Sequence, residues 1–496
     1  MNKILKELVQ DIADVKVVGE SMQVITSLAL DSRKVLSGAL FIAIPGQKDD
    51  GVRYIDEAIK GGAVAVMTCC SYEGARDVTI IQVKDVRSAM AHVARRFYDF
   101  PDEKLDLIGV TGTNGKTTVA TLSQFLLNKD NYSVGMLGTV HYDLGRRTLP
   151  STKTTPESLD IQAMFDQMLQ DGCKAAVIEV SSHGIALKRV HFMAFDIAVF
   201  LNLTQDHLDF HWDMETYFQV KAQFFTGEIG NIPKIAIINI DDPYGVRLLK
   251  KIPLGVKIIT FGTSDNALIR AVDIEFTDKG LTFNLYWPGG ELVIESTLLG
   301  SYNVSNILAA LAIGWASGRN MQDLASKLIN FQGVRGRMEK VDLGQDFSVL
   351  VDYAHTDDAL FNALKMLRSI TLGRLFVVFG CGGDRDSRKR SLMTAAVQKW
   401  ADFAWATADN PRNEDLENIF KDMREGVAFP EKILFVPERR RAIDRALEEA
   451  RKGDCVLIAG KGHETYQEVA YRVIPFDDCQ VARELLILKN KVNVCV

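Results

Sequence analysis

The chain is poor in paired cysteines, long apolar runs and basic blocks. Its seven cysteines (Cys69, Cys70, Cys173, Cys381, Cys455, Cys479 and Cys495) are odd in number and include no Cys-x-x-Cys pair. Neither a disulfide framework nor a zinc site is therefore expected, and free thiols in a reducing cytoplasm fit better. No apolar run approaches the ~18 residues that a spanning helix needs, so no membrane span is expected. Met1 to Ala13 lacks the apolar core of a signal peptide, so no leader is expected either. Lys and Arg number 58 against 64 Asp and Glu, a net charge of −6, and no basic stretch stands out. That balance argues against nucleic acid as the main partner, while leaving room for local phosphate sites.

What is present is a large apolar fraction. At 47% hydrophobic residues over 496 positions, global disorder is excluded and about three domains with real cores are expected. The pattern is α/β, in segments 1–103, 104–334 and 335–496. In the first, short strands at Leu40–Ile44, Ala63–Met67 and Val78–Val83 accompany a helix at Ser88–Tyr98. Pro101 to Lys104 reads as a linker, since proline breaks periodicity and charges stay solvated. In the second, buried-strand patterns at Leu105–Val110, Ala175–Val180, Ile197–Leu201 and Ile235–Ile238 suggest a mostly parallel sheet covered on both faces. The alternation at Leu281–Ile294 suggests antiparallel strands. In the third, strands at Val349–Val351, Leu375–Phe379, Phe403–Ala406, Ile433–Val436 and Val456–Ala459 alternate with helices, a second, Rossmann-like sheet. Ligands of such sheets bind at the carboxyl ends of the strands, where Asp352, Asp409 and Gly460 fall.

One loop carries explicit chemistry. Gly109-Val110-Thr111-Gly112-Thr113-Asn114-Gly115-Lys116-Thr117-Thr118 joins an apolar strand to a helix that begins near Lys116. Glycines allow backbone N–H groups to turn toward phosphate oxygens, and the helix start adds partial positive charge. Lys116 can reach β and γ phosphates, and the Thr117 hydroxyl can ligate Mg²⁺. The strict phosphate-loop pattern wants glycine where Val110 stands; the Gly-Lys-Thr core with strand before and helix after compensates.

The Thr-Gly-Thr-Asn-Gly-Lys-Thr-Thr run resembles the ATP loop of the Mur ligases and their folylpolyglutamate synthetase relatives. The resemblance continues in order through Glu179-Val180-Ser181-Ser182-His183, Asn202 to Asp209, Gly300 to Asn306, Gly336-Arg337-Met338-Glu339, Asp352-Tyr353-Ala354-His355-Thr356 and Gly460-Lys461-Gly462-His463-Glu464. One departure is Asp357, where the family commonly has proline. The resemblance implies three α/β domains: an N-terminal uridine-binding domain, a central P-loop ATPase-type domain and a C-terminal amino-acid-binding domain. It implies a cytoplasmic, monomeric, ATP- and Mg²⁺-dependent amide ligase of peptidoglycan synthesis that works through an acyl phosphate.

By the same resemblance, Gly112, Thr113, Asn114, Gly115, Lys116, Thr117 and Thr118 hold ATP phosphates, and Asn303, Asn306, Arg337 and Asp352 its base and ribose. Thr117, Glu179 and His207 serve Mg²⁺, together with Lys221 carried as a carbamate. Lys221 lies on a helix expected at Met214–Phe225; an ammonium there would repel Mg²⁺, whereas a carbamate supplies two hard oxygens. A UDP-N-acetylmuramoyl dipeptide would lie against Leu30, Ser32, Gln47, Thr154, Thr155, Ser181 and Arg189. Asp409-Asn410-Pro411-Arg412 resembles the signature of family members that add meso-2,6-diaminopimelate, with Arg385, Gly460 and Glu464 completing that site. A switch-type P-loop NTPase would explain the phosphate loop and leave the third segment's motifs unexplained. A folylpolyglutamate synthetase would leave the uridine-type first segment unexplained.

Overall fold

A computed structural model describes residues 1–46, 50–72, 74, 77–277 and 280–494. The chain divides into two compact units: residues 1–270 with 286–290 and 305–324, and residues 271–285 with 291–304 and 325–496.

The first unit begins with a five-stranded sheet in the order Lys16–Val18, Thr79–Gln82, Ala63–Thr68, Ala39–Ile42 and Ser27–Ala29. The first pair is antiparallel and the rest are parallel. Against it packs the helix Val86–Phe97, whose Ala89, Met90, Val93, Ala94 and Phe97 recur at helical spacing and meet Leu5, Leu8 and Ile81. Asp85 caps this helix by accepting from the Ser88 amide. The expected linker is instead a clamped turn. Pro101–Glu103 forms a 3₁₀ turn with Pro101 and Asp102 buried. Asp102 receives Arg95 Nε at 3.0 Å and Nη2 at 2.8 Å, and accepts the Ala194 amide at 2.9 Å. Burial of a carboxylate requires such partners, and here they come from positions distant in sequence.

The central sheet runs Ser133–Leu137, Cys173–Glu179, Asp106–Thr111, Ile197–Phe200, Ile235–Asn239 and Lys257–Gly262, all parallel. Its strands are continuous apolar runs because both faces are covered. Asp106–Thr111 lies between two strands that come later in the chain, one on each side. That is a topological switch point, and its carboxyl end opens the crevice where ligands bind. Sequence periodicity missed the antiparallel strands His141–Asp143 and Thr148–Pro150 at the sheet's edge, which are too short to show alternation. The expected Leu281–Ile294 stretch forms two strands, Gly280–Trp287 and Gly290–Ser296, parted at Pro288-Gly289.

The second unit holds a six-stranded sheet in the order Glu339–Lys340, Ser348–Asp352, Cys455–Ala459, Leu375–Cys381, Phe403–Ala408 and Ile433–Phe435. The first pair is antiparallel and the others are parallel, with apolar cores on both faces. Thr356 caps the helix Asp357–Ile370 by accepting the Ala359 amide. Asp357 is therefore its first helical residue, where a carboxylate suits the positive helix end as proline suits the fixed φ. Among the described residues no helix is long and apolar enough to cross a membrane.

Beneath the carboxyl ends of two of these strands lies a fully buried ion pair. Arg439 Nη2 meets Asp478 Oδ2 at 2.7 Å and also donates to the Ala459 carbonyl at 2.9 Å. Removing one partner strands a buried charge, so Asp478→Ala should cost about 3–5 kcal/mol. Urea unfolding followed by circular dichroism checks this; a change below about 1 kcal/mol would contradict it.

Candidate active site

In the first unit the Gly-rich loop crosses from Thr111 to the helix Lys116–Leu127, which starts where periodicity placed it. Gly115 has φ +86°, and a Cβ there would collide with the Asn306 side chain, so glycine is required. The loop is fastened to the segment after Ile197–Phe200. Asn114 N donates to Asn202 Oδ1 at 2.9 Å, Asn202 Nδ2 donates to Asn114 O at 3.1 Å, and the Thr204 amide donates to Thr113 Oγ1 at 3.0 Å. Lys116 Nζ folds back onto the Gly112 and Thr113 carbonyls, both at 2.9 Å. Thr118 is buried in the first helical turn.

Thr117 Oγ1 donates to Glu179 Oε2 at 3.0 Å. Glu179 is completely buried at the end of its strand and also accepts the Thr139 amide at 2.8 Å and the Thr139 hydroxyl at 2.9 Å. No basic side chain pairs with it among the described residues. A buried carboxylate beside a threonine hydroxyl, held by neutral donors, is a hard oxygen set that fits Mg²⁺. His207 sits at φ +53°, with its amide on Asp206 Oδ1 and its ring 4.8 Å from that of His183.

Lys221 is 1% exposed on the helix Met214–Thr226. Its Nζ donates to the Gly112 carbonyl at 3.0 Å and to Thr111 Oγ1 at 3.3 Å, and lies 5.0 Å from the Tyr217 ring centre. Burial first, and Lys116 second, hold its amine well below the usual lysine range. Read alone, the sequence would leave this lysine solvated. One signal could have placed it: Tyr217, Lys221 and Phe224 share the i, i+4, i+7 register of the helix's buried stripe. Among the described residues no group of three or more His, Cys, Asp or Glu side chains is arranged to hold a metal ion.

Thr154, Thr155, Ser181 and Arg189 come together beside Glu179. Thr155 Oγ1 donates to the Glu179 carbonyl at 2.7 Å and lies 3.0 Å from Ser181 Oγ; Thr154 Oγ1 is 3.1 Å from Thr139 Oγ1. Arg189 Nη1 donates to the Thr155 carbonyl at 3.0 Å. Sequence reasoning missed Glu157, which gathers Arg189, Arg87 and Lys153, each at 2.9 Å. Burial alone would raise its carboxyl, but Arg189, Lys153 and Arg87 outweigh that and hold it below the usual range. Leu30 and Ser32 border the Ser32–Lys34 turn, where Arg33 holds the Asp31 carboxyl down to about 2. Gln47 lies outside the described residues.

In the second unit, Asp352 accepts the Met338 and Ala354 amides, each at 2.8 Å. Burial raises its carboxyl, against the pull of nearby Arg337, whose guanidinium lies 4.8 Å from the Tyr353 ring centre. Asp352 caps no helix; that position belongs to Thr356. Asn303 Nδ2 donates to the Leu299 carbonyl at 2.7 Å. At the neighbouring strand ends, Asp409 Oδ2 would lie 2.5 Å from a Cβ on Gly460. Asn410 Nδ2 donates to Glu464 Oε2 at 2.9 Å. Pro411 leads into Arg412, which has φ +53° and donates through Nη1 to the Gly383 carbonyl at 2.8 Å. A Cβ on Gly382 would face Arg412 Nη1 at 3.0 Å and Arg385 Cγ at 3.7 Å, so both arginines border the same spot. Lys461, part of the Gly460–Glu464 motif but given no role from the sequence, is fully buried and reaches Asn410 Oδ1 at 2.9 Å and Glu464 Oε2 at 3.0 Å.

Three family models match in series: the Mur ligase family catalytic domain over residues 24–98, the Mur ligase middle domain over 110–314, and the Mur ligase glutamate ligase domain over 336–462. The chain belongs to the Mur ligase family. This Mur ligase is 44% identical over 465 residues to the UDP-N-acetylmuramoyl-L-alanyl-D-glutamate–2,6-diaminopimelate ligase of Geobacillus kaustophilus, covering 92% of this chain and 94% of that one. It is 45% identical over 463 residues to the enzyme of the same name from Solibacter usitatus, covering 93% of each. A solved structure, again of a UDP-N-acetylmuramoyl-L-alanyl-D-glutamate–2,6-diaminopimelate ligase, superposes with a TM-score of 0.71 at 35% identity, over 99% of this chain and all of that one.

Proposed function

We infer that this Mur ligase joins meso-2,6-diaminopimelate to the D-glutamyl carboxylate of UDP-N-acetylmuramoyl-L-alanyl-D-glutamate, with ATP converted to ADP and phosphate, in peptidoglycan synthesis. The observation that supports this choice of amino acid is the Asp409–Arg412 loop at the strand ends, with Arg412 and Arg385 beside Gly382 and Glu464 bonded to Asn410. We further place the work in the cytoplasm by a monomer, and divide the chain into domains at 1–103, 104–334 and 335–496.

Amide formation from a carboxylate at neutral pH needs an activated acyl group. The γ-phosphoryl group of ATP passes to the acceptor carboxylate, giving an acyl phosphate; the substrate amine then attacks the acyl carbon and phosphate leaves. The Gly112–Thr118 loop and Lys116 hold and neutralise the phosphates, with Asn303, Asn306, Arg337 and Asp352 around the base and ribose. Thr117, Glu179, His207 and the carbamate of Lys221 would hold Mg²⁺, which neutralises charge building on the transferred phosphoryl group. The Lys221 carbamate forms when the neutral amine attacks CO₂ and releases one proton; burial of that amine favours the neutral form. Leu30, Ser32, Gln47, Thr154, Thr155, Ser181 and Arg189 take the UDP-linked acceptor. Asp409, Asn410, Arg412, Arg385, Gly460 and Glu464 take diaminopimelate, with Glu464 accepting from an ammonium.

The test is a panel of amino acids with the UDP-muramoyl dipeptide, ATP and Mg²⁺, read by product mass. A diaminopimelate adduct formed with stoichiometric phosphate release is expected. Phosphate release independent of acceptor and amino acid would overturn the reading.

A further inference from the structure

Arg412 does not wait with an empty guanidinium. Its Nε lies 2.8 Å from Glu468 Oε2, and its Nη1 is spent on the Gly383 carbonyl. The remaining nitrogen, Nη2, donates to no group among the described residues. Glu468 belongs to the strand Tyr466–Val469, which pairs with Arg472–Pro475 and closes over the Asp409–Arg412 loop. Two backbone–backbone bonds and one from backbone to side chain set this contact. Arg412 N donates to Glu468 O at 2.9 Å, Ala470 N donates to Arg412 O at 2.7 Å, and Glu468 N donates to Asn410 Oδ1 at 3.0 Å.

Arg412 lines a cavity of about 710 Å³ together with Pro411, Gln467 and Val469. Buried Lys461 lies 5.7 Å from the Tyr466 ring centre. The Tyr466 hydroxyl is held above its usual range by burial first, then by the charges of Glu464 and Glu468. The side chains of Arg412 and Glu468 remain 25% and 36% exposed, within reach of an incoming molecule.

We propose that Glu468 is a specificity-setting residue of the amino-acid site, an internal carboxylate that competes with the substrate's distal carboxylate for Arg412. This rests on the reading of Arg412 given above. An arriving carboxylate meets a guanidinium already half neutralised, with a like charge beside it. Its gain on pairing is the difference between two carboxylates rather than the whole of one. A side chain ending in an ammonium alone, as in L-lysine, meets the reverse: Glu468 shields it from Arg412. Glu468 thus weakens diaminopimelate binding and softens the rejection of lysine.

The experiment is steady-state kinetics of the full chain and its Glu468→Gln variant with diaminopimelate or L-lysine, at saturating ATP and UDP-linked acceptor. Glutamine keeps the shape and removes only the charge. The KM for diaminopimelate should fall about three- to tenfold, and kcat/KM for lysine relative to diaminopimelate should fall as well. Glu468→Ala should move both values the same way, and it carries the test if the glutamine variant does not fold. Glu468→Asp, which keeps the charge, should leave the KM for diaminopimelate near that of the native chain. A KM for diaminopimelate that is unchanged or higher in the charge-removing variants overturns the proposal. Arg412→Ala separates the two levels. If it leaves diaminopimelate use intact, the reading of the site fails; if it impairs that use while loss of the Glu468 charge does not improve it, only the role of Glu468 fails.

Discussion

Lys221→Ala is expected to lower turnover about 10³-fold or more, equivalent to about 4 kcal/mol of transition-state stabilisation. The native amine is buried against the Gly112 carbonyl and Thr111 and held well below the usual lysine range. A permanent ammonium in that place would be unpaired, because no acid forms an ion pair with it among the described residues. Carbamylation would turn the liability into a carboxylate-like group beside the phosphate loop. Alanine removes both the nitrogen and the two oxygens, leaving a gap about the size of a small acid. Adding a short-chain carboxylic acid should therefore recover part of the lost activity by restoring an oxygen ligand. Native protein kept free of CO₂ should also lose activity and regain it with bicarbonate. Normal turnover by Lys221→Ala would remove this lysine from the mechanism.

Much of the fold was legible because its signals are local. Parallel strands buried on both faces read as unbroken apolar runs, as at Ile197–Phe200 and Ile235–Asn239, and the phosphate-loop helix begins at Lys116 as its spacing implied. What stayed hidden depends on contacts far along the chain. Pro101 to Lys104 has the composition of a linker, yet Arg95 and the Ala194 amide bury Asp102. The two edge strands at His141–Asp143 and Thr148–Pro150 have three residues each, too few for periodicity to register. The same holds within the candidate site. Gly115 and Thr117 are marked by type and spacing, whereas Lys461 and Glu468 gain a role only when the strand Tyr466–Val469 meets the loop after Phe403–Ala408. Lys221 falls between these cases, since its helical register marks a buried face and its residue type argues the opposite.

Arg412→Ala should abolish the preference for diaminopimelate while largely sparing ATP and UDP-acceptor binding. The two candidate amino acids differ by one carboxylate at the far end of the side chain, and only a fixed cation can read that difference. Arg412 is fixed in three ways: its backbone is tied to Glu468 and Ala470, its Nη1 to the Gly383 carbonyl, and its Nε to the Glu468 carboxylate. A lysine at this position would offer a point charge on a mobile stem and no planar fork. Losing the charge-assisted pair leaves the substrate carboxylate partly buried without a counter-ion, a cost of about 2–5 kcal/mol. That corresponds to a rise of roughly 30- to 4,000-fold in the KM for diaminopimelate. The loss should be smaller than for an arginine with no internal partner, because removing Arg412 also ends its attraction for Glu468. The orphaned Glu468 would then face the site and attract an ammonium, so lysine use should fall less than diaminopimelate use or even rise. Competition assays with both amino acids, read by product mass, decide the matter. An Arg412→Ala variant that still selects diaminopimelate over lysine as the native chain does would exclude Arg412 as the reader of the distal carboxylate.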